Sequence, residues 1–69
     1  MEIDELAELL QETEAQHAAF ESVAPKHNWY DWYAAYLVAR RRGSNPEEAA
    51  LAARTFMADA KGIVIAGAP

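Results

Sequence analysis

The sequence predicts an all-α fold, a small three-helix domain with short loops. Three observations predict it. Apolar residues recur at spacings of three and four along most of the chain. Two clear start signals, Asn28 and Asn45-Pro46, each open such a stretch. Pro25, Gly43 and Gly62 close the three stretches.

The first helix is expected over residues 3–23. Ile3, Leu6, Leu10, Thr13, His17, Phe20 and Ala24 trace one stripe, widened by Leu9 and Ala18. Glu5, Glu8, Glu12 and Gln16 form the opposite, solvated face. Asp4 and Glu5 lie in the first turn, where carboxylates favour the positive end of the helix dipole. Pro25 ends the segment, because the residue before a proline avoids the α region.

After a link over residues 24–28, Asn28 reads as an N-cap with Asp31 as a weaker acidic capping box. The second helix is expected over residues 29–42. Trp29, Trp32, Tyr33, Tyr36 and Leu37 form its apolar face, and Tyr30 falls outside it. Arg40, Arg41 and Arg42 favour the negative dipole end, and Gly43 stops the helix.

The third helix has the strongest signal. Asn45 offers a cap, Pro46 suits the first helical position, and Glu48 stands three residues after the cap. The helix is expected over residues 46–61, with Ala49, Ala53, Phe56, Met57 and Ala60 on its inner face. Gly62 fits a left-handed C-cap and Ile63 a closing apolar contact, leaving residues 62–69 as a tail.

Composition bounds the function. The chain has 69 residues and no cysteine, so neither a disulfide nor a thiolate metal site stabilises it. Its hydrophobic fraction is 52%, yet much of that is alanine, and the aromatics must supply much of the core. A chain this small buries little area, so a homodimer or larger assembly is expected to complete the core. The net charge of −5 disfavours nucleic acid and anionic membranes as partners. All of the charge on residues 1–24 is acidic, and all six bases lie beyond them. That division suits helix-on-helix contact, within the chain or between copies. The acidic N-terminus does not read as a signal peptide, and Ile63-Val64-Ile65-Ala66 is too short to span a bilayer. A cytoplasmic location is expected.

The aromatic run is the most distinctive feature. His17, Phe20, Trp29, Trp32, Tyr33, Tyr36 and Arg40 are the candidate interface or ligand-binding residues. Their helical spacing reads first as core or dimer interface, and second as an aromatic pocket for a small molecule. Glu14 and His17 stand three apart, the spacing that di-metal carboxylate bundles use. A metal site at a dimer seam would therefore draw on Glu14, His17 and Glu21, although a hydrogen-bonded histidine explains the pattern more simply. His27 and Asp31 could pair as base and orienter, but neither serine nor cysteine accompanies them. The Arg40–Arg42 run and the Gly43 turn resemble a helix-turn-helix spacing. The third helix opens on Glu47 and Glu48, which argues against a groove reader; a solvated helix end, or salt bridges from the arginines to the acidic first helix, is expected instead. No glycine-rich phosphate loop or zinc spacing appears, and no cofactor is expected.

The stretch His27-Asn28-Trp29-Tyr30-Asp31-Trp32-Tyr33-Ala34-Ala35-Tyr36, with Ala39-Arg40 and Pro46-Glu47-Glu48-Ala49, resembles short bacterial proteins often labelled "bleomycin resistance protein". The resemblance runs from Leu6 to about Ala53. The label implies a paired βαβββ fold that sequesters a drug or binds a metal. This chain has no run of alternating strands, so the resemblance points instead to helical extensions of such proteins and supplies no residue-level site. The expected function is a non-enzymatic interaction or self-association module. The alternatives are a small-molecule binder linked to drug resistance and the seam metal site.

Overall fold

A computed structural model describes residues 2–65. It contains three helices, α1 (Ile3–Glu21), α2 (Trp29–Arg41) and α3 (Pro46–Lys61), and no strand among the described residues. The all-α expectation is met. The last four residues of the expected tail, 66–69, lie outside the described residues.

Helix ends follow local chemistry. The first helix closes at Glu21, two residues earlier than its apolar stripe suggested. Val23 and Ala24 both donate their N–H groups to the Phe20 carbonyl, at 3.1 and 3.0 Å, which winds the last turn shut ahead of Pro25. At the start of α2, Asn28 has the extended backbone of a cap, but its side chain caps nothing. Asp31 does not complete a capping box there; its carboxylate lies 3.8 Å from Lys61 Nζ on α3. The second helix ends at Arg41, and Gly43 turns the chain at φ +101°, a conformation that costs a side-chain-bearing residue energy.

The third helix has the complete capping box. Asn45 Oδ1 accepts from the Glu48 N–H at 2.8 Å, and Glu48 Oε1 accepts from the Asn45 N–H at 2.9 Å. Asn45→Ala removes this cap, and a loss of about 1 kcal/mol is expected, read as a lower thermal midpoint. At the far end Gly62 takes the left-handed conformation at φ +69°. Ile63 donates its N–H to the Met57 carbonyl at 3.0 Å and leans its side chain on the core.

The core lies mainly between α2 and α3. Ala39, Ala49 and Ala53 are small enough to let the two helices approach, and Trp32, Tyr36 and Met57 fill the space beside them. Trp32 and Tyr36 stack at 5.2 Å with their planes 15° apart. The first helix reaches this core through Thr13, His17 and Phe20. Thr13, although buried, satisfies its hydroxyl by donating to the Leu9 carbonyl at 2.6 Å.

Only the C-terminal half of the α1 stripe is inside. Ile3 is 85% exposed, and Leu6 and Leu10 are exposed as well. Length explains this. Nineteen residues make a helix of about 28 Å and thirteen make about 20 Å, so α1 outruns α2. Two further residues expected inside α3 are exposed: Phe56 and Ala60. The buried row Ala49, Ala53, Met57 advances by four, and Phe56 falls to one side of it.

Candidate functional site

Two polar clusters tie α1 to the rest of the fold. In the first, Glu12 on α1 accepts from Tyr36 and Arg40, which stand four apart on one face of α2. Arg40 Nε donates to Glu12 Oε2 at 2.8 Å and Nη2 to Oε1 at 3.2 Å, a two-pronged grip. A third donor, Nη1, reaches the Ser44 carbonyl at 2.9 Å, so the same guanidinium also fixes the α2–α3 turn. The Arg40 hydrogen bonds, joined by that from Tyr36, hold the Glu12 carboxyl below the usual carboxylate range. Burial, and then the Glu12 carboxylate, pushes the Tyr36 phenol up to about 12. Arg40 thus meets the expectation of a bridge to the acidic first helix. Glu12 belongs to this contact, not to the purely solvated face assigned to it from periodicity.

The second cluster centres on His17, which is buried. His17 Nε2 and His27 Nε2 are 3.0 Å apart. The outer nitrogens are held too: His27 Nδ1 lies 2.8 Å from the Pro25 carbonyl, and His17 Nδ1 lies 3.3 Å from Glu21 Oε2. Rings of Trp32 and Tyr33 pack edge-on against His17 at 5.4 and 5.3 Å, and Phe20 packs edge-on against His27 at 5.0 Å. Burial lowers the His17 pKa, and so does His27, while Glu21 opposes them. Asp31, which could have oriented His27, faces Lys61, and His27 pairs with His17.

Beside this cluster runs a groove of about 550 Å³ lined by Glu14, His17, Glu21, Trp29 and Tyr33, among others. Burial, then the Glu14 and Glu21 carboxylates, raises the Tyr33 pKa. Trp29 is 58% exposed and touches Tyr30 and Tyr33 edge-on.

The seven candidate residues therefore divide. Phe20, Trp32 and Tyr36 are core. His17, Trp29 and Tyr33 meet at the groove, and Arg40 belongs to the Glu12 cluster. Glu14, His17 and Glu21 do not converge as ligands within one chain: among the described residues no group of three or more His, Asp or Glu side chains is placed to hold a metal ion. Glu21 instead faces the outer nitrogen of His17. Among the described residues no helix is long and apolar enough to cross a membrane. Sequence reasoning missed Glu12 and the His17–His27 contact. The four-residue spacing of Tyr36 and Arg40 could have pointed to one shared acceptor, but nothing singled out Glu12 among seven acids on the first helix and its flanks.

No known protein family, curated protein or solved structure matches this chain.

Proposed function

We propose that the chain is a non-enzymatic helical module that self-associates, each copy covering apolar surface that the other leaves bare. One observation carries this reading. The overhanging turns of α1 present Ile3, Leu6 and Leu10 to water in a single row. A soluble fold gains by covering such a row, at about 25 cal/mol per Å².

Charge indicates where the row docks. Asp4, Glu5 and Glu8 flank it, so two α1 helices laid together would oppose like charges. A groove between α2 and α3 offers a better surface. It is lined by Ala35, Val38, Ala52 and Phe56 among others, and its charged residues are Arg42 and Asp31, the latter paired with Lys61. Val38 and Phe56 are themselves exposed. A reciprocal dimer, with α1 of each copy on the α2–α3 groove of the other, buries both apolar surfaces and sets acids beside arginine.

Sedimentation across a concentration series tests this. The wild-type chain is expected to dimerise in the micromolar range. The double substitution Leu6→Glu, Leu10→Glu and, separately, Phe56→Glu are each expected to leave a monomer with unchanged helicity, because all three side chains are exposed. A wild-type chain that stays monomeric at high micromolar concentration would overturn the reading. So would dimerisation undiminished in both variants.

A further inference from the structure

The histidine pair carries more than a packing role. The Pro25 carbonyl can only accept a hydrogen bond, so His27 Nδ1, 2.8 Å away, carries a hydrogen. The Glu21 carboxyl approaches His17 Nδ1 at 3.3 Å, an ion-pair distance. A neutral imidazole with its hydrogen on Nδ1 has a bare lone pair on Nε2. The two Nε2 atoms are the ones that stand 3.0 Å apart. With its hydrogen on Nε2, His17 donates it to His27 as an N–H···N bond; with that hydrogen moved to Nδ1, beside Glu21, the two Nε2 lone pairs face each other. That second tautomer offers both lone pairs to one electropositive partner, a proton or a metal ion.

The geometry fits a metal ion. Imidazole–metal bonds of about 2.0–2.1 Å put two ligands on adjacent corners of a square or octahedron about 2.9 Å apart, and on a tetrahedron about 3.4 Å apart. The observed 3.0 Å matches the first. Ligating histidines also characteristically donate their other ring N–H to a carboxylate or a backbone carbonyl, which fixes the tautomer and aims the ring. His27 Nδ1 has such a bond to the Pro25 carbonyl, and His17 Nδ1 has the Glu21 carboxyl 3.3 Å away. The rings of Trp32 and Tyr33 hold His17 in place. His17 borders one surface groove and His27 another, so the pair stands between two openings to water.

We propose that His17 and His27 form a two-imidazole site for a divalent late transition metal ion that favours square or octahedral nitrogen coordination, Cu²⁺ or Ni²⁺. Glu21 and the Pro25 carbonyl orient the rings, and water completes the coordination. This site differs from a Glu14–His17–Glu21 set. Its second ligand comes from the α1–α2 link, and Glu21 acts through the ring instead of on the ion. With one ligand on α1 and one on the link, the ion would also pin the end of α1 against α2.

The test uses the full chain at neutral pH with one equivalent of Cu²⁺. The electron paramagnetic resonance spectrum is expected to carry hyperfine coupling from two imidazole nitrogens, falling to one in His27→Gln. The ring signals of both histidines are expected to broaden together in the nuclear magnetic resonance spectrum of the wild-type chain. Glu21→Gln, at an exposed position, is expected to weaken Ni²⁺ binding about tenfold in calorimetry. Mg²⁺, which prefers oxygen ligands, is expected to leave both rings untouched. Coupling from oxygen or from a single nitrogen overturns the site, as does a spectrum indifferent to His27→Gln. A pair that answers only to pH holds a shared proton alone, which also overturns it. If His27→Gln does not fold, joint broadening in the wild-type chain decides the matter by itself.

Discussion

Trp32→Ala is expected to cost about 3–5 kcal/mol, enough to leave much of a domain this small unfolded at room temperature. Trp32 is 1% exposed and sits where all three helices meet. Its ring stacks on Tyr36, lies 5.9 Å from Phe20 and flanks His17. Among the neighbouring core residues, Ala39, Ala49 and Ala53 have no side-chain length with which to close the gap. The void would persist, and cavity cost rises with the volume that does not collapse. Trp32→Phe separates volume from polarity. The indole N–H of Trp32 is buried and meets no acceptor among the described residues, a burden of about 1–3 kcal/mol in its own right. Phenylalanine removes that burden while keeping most of the ring, so its loss should be far smaller than that of alanine. Trp29→Ala supplies the contrast: its ring is 58% exposed, and a change within about 0.5 kcal/mol is expected. Urea unfolding followed by circular dichroism ranks the three. Equal losses at Trp29 and Trp32 would contradict this placement of the core.

What the sequence disclosed, and what it withheld, follows from the range of the interactions involved. The α3 start was legible because every atom of the capping box lies within four residues. The same reasoning at Asn28 named the cap position but not the bonding, since Asp31 has a competing partner on α3 in Lys61. Periodicity identified the inward face of α1 correctly from Thr13 to Phe20. The expected lengths already made α2 the shorter helix, but periodicity could not show which turns of α1 it would leave uncovered, and those turns hold Ile3 and Leu6. In the aromatic run, helical spacing grouped Trp29 with Trp32 and Tyr36. Trp29, in the first turn, is exposed all the same, and only tertiary placement shows that. The candidate site was least legible. His17 and His27 are ten residues apart and meet only because Pro25 turns the link back along α1. No local pattern encodes that distance. The Glu12 cluster is similar: its two α2 members share a visible spacing, while its α1 member depends on the register of one helix against another.

That register makes Glu12→Ala the second large effect. Glu12 is the acceptor for the buried Tyr36 hydroxyl and for two nitrogens of Arg40. Removing it strands a phenol that is 0% exposed, and hydrogen bonds to a charged acceptor contribute about 1.5–3 kcal/mol. A loss of about 2–3 kcal/mol is expected. Tyr36→Phe leaves the Arg40–Glu12 grip intact and should cost less, about 1 kcal/mol. The double variant should cost less than the sum, because both single changes break one shared bond. The pH profile identifies the cause. In the folded chain the Tyr36 phenol titrates at about 12, against an ordinary value of 10. Between those values the unfolded chain releases a proton that the folded chain retains. Stability is therefore complete below pH 10 and falls as pH rises toward 12, by about 3 kcal/mol at most. Tyr36→Phe should abolish that alkaline loss. Glu12→Ala should only reduce it, because burial, the larger cause, remains. On the acid side the order reverses. The lowered Glu12 pKa gives stability that is present above the ordinary carboxylate value and lost as pH falls through the folded one. Glu12→Ala should remove that contribution and Tyr36→Phe should retain most of it, since Arg40 is the main cause. Unfolding midpoints measured from pH 3 to 12 for the three chains check both limbs. A Glu12→Ala profile parallel to wild type at the acid end would show that this carboxylate is not what joins α1 to α2.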